Sequence, residues 1–175
     1  MLLIFTGNGK GKTTAALGQA LRSVGEGKRV LMVQFIKGPW KSGEDIFFDE
    51  FKMQNAKCKI VKMGKGFVGI LGDKLPREEH EKAAAEALAY AKSEIASGAW
   101  DMVILDEVNN AVYLNLIPKE HVIDLINLIP DTLYLILTGR DAPQEFIDRA
   151  DLVTEMQDVK HPYEQGIKAK RGLEY

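Results

Sequence analysis

Apolar residues recur along the chain as short, nearly continuous runs, separated by longer stretches in which they return every three or four positions. Residues 2–5, Leu-Leu-Ile-Phe, form one such run and residues 29–36, Arg-Val-Leu-Met-Val-Gln-Phe-Ile, a second. Further runs fall at 59–63, 100–107, 132–138 and 152–156. Strands covered by helices on both faces have this unbroken character, whereas half-solvated strands alternate. The intervening segments have helical spacing. Residues 15–21 open a helix that Gly25 and Gly27 would end. Ser42 would cap a helix through Ile46, Phe47, Phe48 and Phe51. Pro76 starts the longest helix, to about Ser97, with Ala84, Leu88, Ala91 and Ile95 on one apolar stripe. After Pro118, Val122, Ile123, Leu125, Ile126 and Ile129 give a broad buried face, and a short helix is expected around residues 145–149. Five or six strands alternating with helices predict an α/β fold: a doubly wound, mostly parallel sheet with helices on both faces, in one domain spanning residues 1–175. Residues 64–75, rich in glycine around Phe67 and Val68, cannot pack a core and read as a mobile loop.

Composition narrows the classes. With 175 residues, 46% apolar and 27% charged, the chain can bury a core without staples. A net charge of −2 exerts no overall pull on nucleic acid or anionic membrane. Lys52, Lys57, Lys59, Lys62 and Lys65 do cluster, as a solvated strand edge or an anion-binding rim. Cys58 is the single cysteine, so no intrachain disulfide or cysteine metal site is expected. The amino terminus enters the first strand without the pattern of a signal peptide, and no apolar run approaches membrane-spanning length. A cytoplasmic protein is expected.

The chemistry concentrates in Thr6-Gly7-Asn8-Gly9-Lys10-Gly11-Lys12-Thr13-Thr14, between the first strand and first helix. Strand, glycine loop and helix is the phosphate-binding arrangement: unpaired amides at the helix start point into the loop, and the helix dipole adds partial positive charge. Lys12 can reach a terminal phosphate, and the Thr13 hydroxyl can hold Mg²⁺. The usual glycine five residues before Gly11 is Thr6 here, so the loop is either one residue tighter or begins with threonine. The run 100–107 ends in Asp106-Glu107, as in a Walker B strand whose carboxylate holds Mg²⁺ directly or through water. Either acid could be the direct ligand. Arg140 follows the run 132–138, at the sheet edge that carries Lys12 and Asp106, to meet phosphate or an acidic neighbour. His80, His121 and His161 are too scattered for a metal cluster, and the first two read as exposed helix positions. Six arginines without a paired lid, and no evident general base, fit slow ATP hydrolysis or a reaction whose nucleophile arrives with another substrate.

Several segments together resemble one family, the P-loop ATP:corrinoid adenosyltransferases of cobalamin synthesis and salvage. They are residues 6–16, Val33-Gln34-Phe35-Ile36-Lys37-Gly38, Leu105-Asp106-Glu107, Thr138-Gly139-Arg140, residues 150–156, and Val159-Lys160-His161-Pro162-Tyr163 with Gly166, Ala169, Gly172, Glu174 and Tyr175. The resemblance implies that a Co(I) corrinoid attacks C5′ of ATP and that triphosphate leaves. Reduced cobalt is then the nucleophile, which explains the missing base. ATP and corrinoid are the implied substrates, with Mg²⁺ as cofactor, a reductase supplying electrons, and a homodimer. The resemblance assigns ATP to Gly7, Asn8, Gly9, Lys10, Gly11, Lys12, Thr13, Thr14 and Arg140. It assigns catalysis to Lys10, Lys12 and Glu107, the metal to Thr13, Asp106 and Glu107, and the corrinoid to Phe67, Lys160 and His161, the last two on a functional tail near 157–175. It also implies a nucleotide bound in the reversed sense, in keeping with Thr6.

Two departures stand out. Family members often carry an amino-terminal extension that helps cover the corrinoid, whereas this sequence opens at its first strand, so the covering element is expected to be absent or replaced. They also tend to carry Gly-Phe-x-Trp in the mobile loop, to displace the lower cobalt ligand. Here the segment is Gly66-Phe67-Val68-Gly69, with glycine at the tryptophan position. The competing readings are a P-loop ATPase or nucleotide switch acting through a protein partner, and a non-catalytic carrier.

Overall fold

The structure is a computed structural model and describes residues 1–50, 57–70 and 72–173; Phe51, Lys52, Glu174, Tyr175 and the side chain of Phe48 lie outside the described residues. Its strands are β1 (Leu2–Thr6), β2 (Val30–Gln34), β3 (Cys58–Lys62), β4 (Met102–Asp106), β5 (Tyr134–Thr138) and β6 (Leu152–Glu155). The helices are α1 (Lys12–Gly25), α2 (Gly43–Glu50), α3 (Arg77–Ala96), α4 (Val108–Tyr113), α5 (Lys119–Asn127) and α6 (Gln144–Ile147). All strands pair in parallel in the order β3-β2-β4-β5-β1-β6. The doubly wound α/β architecture expected from the sequence is therefore present, with six strands among the described residues, all parallel.

Strand pleating divides the core. Leu2, Ile4, Leu31, Val33, Val103, Leu105, Leu135 and Leu137 face one side, where they meet Ala84, Leu88 and Ala91 of α3, Val122, Leu125 and Ile126 of α5, and Phe146 of α6. Leu3, Phe5, Val30, Met32, Met102, Ile104 and Ile136 face the other, against Ala16 and Ala20 of α1. Successive residues of a strand serve opposite faces, so a strand buried on both must be apolar throughout. The stripe expected on α3 is the packing face.

The chain steps from β1 to β2 over two strands that β4 and β5 later fill, and the strand order reverses there. Because the sheet is parallel, every strand delivers its following loop to one edge, where open α/β sheets bind ligands. Register sets Gln34 beside Asp106 and Phe5 beside Thr138 at that edge.

Two local readings change. His80 is a buried residue at 3% exposure, with Nε2 3.0 Å from Asp73 Oδ2, and not an exposed helix position. The first turn of α3 is turned toward the loop before it, where Asp73 also accepts from the amides of Gly69 and Leu75 at 2.9 and 3.0 Å. The sequence pattern also carries no sign of α4, a six-residue helix directly after β4. Cys58 is half-buried, and burial pushes its thiol up to about 11.

Candidate functional site

The phosphate loop is shaped by what surrounds its glycines. Gly7 has φ +93°, and a Cβ there would lie 2.4 Å from the Met156 carbonyl oxygen. A Cβ on Gly9 would lie 2.5 Å from the carbonyl oxygen of Gln157. The chain after β6 therefore runs directly along the loop, and the Gly9 amide donates to the Met156 carbonyl at 2.7 Å. Side chains at either glycine would separate the two. Thr6, buried at the end of β1, accepts from the Ala142 amide at 3.3 Å. Threonine thus belongs to the strand end, and the turn begins at Gly7.

Lys12 is buried at the start of α1, and its ammonium donates to the carbonyls of Gly7 and Gly9, both at 2.7 Å. Burial lowers its pKa, partly opposed by the charge of Glu107. The ammonium is tethered inside the loop, where a phosphate oxygen could replace the carbonyls. Thr14 donates to Gly11 at 3.0 Å, while Asn8 and Lys10 are exposed on the loop.

Asp106 is the hub of the adjoining cluster. It is fully buried, and its Oδ1 accepts from the hydroxyls of Thr13 and Thr138, each at 2.8 Å. Its Oδ2 accepts from Gln34 Nε2 at 3.1 Å and lies 3.6 Å from Lys37 Nζ. Lys37 also pairs with Glu44 at 2.8 Å. Burial works against the Lys37 charge, but Asp106 and Glu44 outweigh it and hold the ammonium above its ordinary value. Gln34 Oε1 is buried without a hydrogen-bond partner. A hydroxyl and a carboxylate at one point are hard oxygen donors, the type Mg²⁺ takes alongside phosphate and water.

Glu107 departs from its neighbour. It sits in the left-handed region at φ 64°, and its amide donates to Thr138 Oγ1 at 3.0 Å. Burial, reinforced by the charge of Asp106, pushes its carboxyl up to about 7. The Arg140 amide is anchored on Asn110 Oδ1, and its side chain is exposed at the same edge. Lys12, Thr13, Asp106, Glu107 and Arg140 thus share one site. Gln34, Lys37 and Thr138 complete it, although sequence reasoning gave them no role there. Only the strand register, a non-local property, puts them on Asp106.

The residues expected at a corrinoid are more dispersed. Phe67 follows β3 and the Lys160-His161 pair follows β6, the two edge strands, which are five strand spacings or about 24 Å apart. His161 Nδ1 accepts from the Tyr163 amide at 3.2 Å and caps a 3₁₀ turn at Pro162–Gln165. Gly69 has φ +69° and open space around it. Trp40, from the loop after β2, lies against Phe67 with ring centroids 6.0 Å apart. Sequence reading placed Trp40 only in a loop, because no local pattern shows which segment that loop will meet.

Comparison with known proteins agrees with this geometry. The family model described as ATP:corrinoid adenosyltransferase BtuR/CobO/CobP matches residues 1–175. The corrinoid adenosyltransferase of Escherichia coli K12 is 39% identical over 175 residues, covering 100% of this chain and 85% of the relative. CobA of Salmonella typhimurium LT2 is 38% identical with the same coverage, and the Pseudomonas aeruginosa corrinoid adenosyltransferase is 37% identical, with 83% of it covered. Among solved structures, the KaiC-like protein PH0186 of Pyrococcus horikoshii OT3 aligns with a TM-score of 0.56 at 15% identity, over 91% of this chain and 72% of that one, a likeness of fold alone. A phosphate loop of this form, a hydroxyl and carboxylate beside it, and a match from the first residue to the last lead to one conclusion: the chain belongs to the ATP:corrinoid adenosyltransferase family.

Proposed function

We propose that the chain transfers the 5′-deoxyadenosyl group of ATP to the cobalt of a reduced corrinoid, using the loop at residues 7–14 to hold the triphosphate that leaves. The observation that carries this assignment is the Thr13–Asp106 contact at 2.8 Å beside the tethered Lys12, within a chain that matches the family end to end. In the transfer, the cobalt electron pair forms a bond to C5′ as the bond from C5′ to the α-phosphate oxygen breaks. No proton moves, so no general base is needed. The protein's tasks are alignment and stabilisation of charge on the leaving group.

Lys12 would exchange its two carbonyl partners for phosphate oxygens, while Lys10, Arg140 and the loop amides from Gly7 to Thr14 add positive potential. Thr13 and Asp106 would hold Mg²⁺, with Glu107 as the neighbouring carboxyl. The ion would neutralise phosphate charge and favour departure of triphosphate. Gln34 and Thr138 keep the Asp106 carboxylate turned toward Thr13. Phe67 would meet the corrinoid on the β3 side, and Lys160 and His161 on the tail that leaves the phosphate loop at Gln157. The same reading includes a reductase, a homodimer and a cytoplasmic setting; no described helix is long and apolar enough to cross a membrane.

Anaerobic absorbance spectroscopy tests the assignment. With Mg·ATP and chemically reduced cobalamin, the spectrum of Co(I) should convert to that of adenosylcobalamin at a rate proportional to enzyme. A Co(I) spectrum that persists unchanged would refute it.

A further inference from the structure

Trp40 and Phe67 form an exposed aromatic pair on two separate loops, with exposures of 62% and 48%. The inner side of the Trp40 ring is seated on backbone. A Cβ at Gly38 would lie 2.2 Å from the ring and one at Gly66 2.8 Å, so both positions must be glycine for the ring to lie flat. Gly66 adds a φ of +108°, which a side chain rarely adopts. Its amide donates to the Ile36 carbonyl at 2.9 Å, joining the loop after β3 to that after β2. Lys62 donates to the Trp40 carbonyl at 2.7 Å and pairs with Asp45, which holds the second loop in turn. Val68, beside Phe67, packs inward against the main core. The ring is therefore fixed from beneath and open above.

An immobilised aromatic surface of this kind suits a flat, largely apolar ligand, and large apolar groups are rarely left paired in water without a partner. Its position selects the ligand. Both loops leave the carboxyl ends of β2 and β3, the edge that carries the phosphate loop after β1 and Asp106 at the end of β4. β2 and β1 are three strand spacings apart, about 14 Å, across which the triphosphate and half of a large ring can meet. We infer that Trp40, with Phe67, is the shelf on which the corrin macrocycle lies, making Trp40 a specificity-determining residue for the corrinoid and not for ATP. The inference rests on the transfer reaction proposed above.

The test is calorimetric titration of the full chain with cob(II)alamin in the presence of Mg·ATP, and separately with Mg·ATP alone. The variants are Trp40→Ala, Trp40→Leu and Trp40→Phe. Loss of a stacked indole should weaken corrinoid binding about tenfold in Trp40→Ala, with phenylalanine restoring most of the loss. Trp40→Leu, which keeps apolar bulk over the glycines but no flat face, should bind corrinoid as weakly as alanine while melting like wild type. ATP affinity should be unchanged in all three, and in turnover KM for corrinoid should rise while KM for ATP does not. Corrinoid binding by Trp40→Ala within about twofold of wild type would overturn the inference. A selective loss of ATP affinity would overturn it too, making the pair an adenine shelf. Equal loss of both affinities with a lowered melting temperature would reduce Trp40 to a loop staple. Wild-type protein that neither binds nor adenosylates corrinoid would remove the transfer reaction itself, an outcome distinct from unaltered Trp40 variants of an active enzyme.

Discussion

Replacing Gly7 with alanine probes how the phosphate loop is held. At φ +93° a Cβ costs about 1–2 kcal/mol of backbone strain. The same Cβ would lie 2.4 Å from the Met156 carbonyl oxygen and 2.8 Å from its amide nitrogen, so rigid backbone must move. Overpacking of that kind costs about 1–3 kcal/mol. The sum, about 2–5 kcal/mol, can be met in two ways. If the loop stays in place, a chain of this size should lose about 4–20 °C in Tm. If the loop moves off Met156, the Lys12 carbonyl partners move with it and Mg·ATP affinity should fall at least tenfold, since each 1.4 kcal/mol is about a factor of ten. Differential scanning calorimetry and isothermal titration of Mg·ATP read the two outcomes. Gly18→Ala is the control: it lies within α1, a Cβ there meets nothing within 4 Å, and alanine should stabilise the helix by about 0.5–1 kcal/mol. A Gly7→Ala protein that melts and binds ATP like wild type would refute the close contact between the loop and the chain after β6.

Other consequences can be measured independently. Thr138→Val removes the hydroxyl that donates to Asp106 and accepts from the Glu107 amide, leaving that amide without its acceptor and Asp106 Oδ1 with Thr13 alone; urea denaturation should show a loss of about 1–3 kcal/mol. Asp73→Ala should speed hydrogen exchange at the Gly69 and Leu75 amides, with exchange in β4 unchanged, because Asp73 is their acceptor. The Cys58 thiol, raised by burial to about 11 from its ordinary 9.0, should alkylate about 100-fold more slowly at pH 8 in the native protein than in urea, as thiolate content scales with the shift. Equal alkylation rates would contradict its placement in β3.

The parts of the molecule that depend on local pattern were the most legible in the sequence. Strands buried on both faces must be apolar throughout, so β1, β2, β4 and β5 stand out as runs, with ends displaced by a few residues where loops also bury side chains, as at Phe35; the edge strands β3 and β6, half-buried and exposed, show shorter runs interrupted by polar residues. The phosphate loop was legible because strand, glycines, lysine and hydroxyl are contiguous. Asp106 could be found as the acid that closes an apolar run, but its advantage over Glu107 as partner of Thr13 could not, because that depends on how the chain turns at Glu107 to start α4. Gln34 and Lys37 have the local pattern of strand and loop residues. They reach Asp106 only because β2 pairs with β4, which lies some 70 residues further along. The burial of His80 escapes the pattern for a related reason: α3 shows its apolar stripe further along, while its first turn is buried by a loop no periodicity describes. The aromatic contact between Trp40 and Phe67 joins two irregular segments and had no local signature.

The fate of the phosphates tests the central claim most directly. In single-turnover mixtures of enzyme, Mg·ATP and Co(I) corrinoid, ³¹P nuclear magnetic resonance should show inorganic triphosphate formed in equal amount to adenosylcorrinoid, with both products lost together in Lys12→Ala. ADP and orthophosphate accumulating with no cobalt–carbon bond would contradict it.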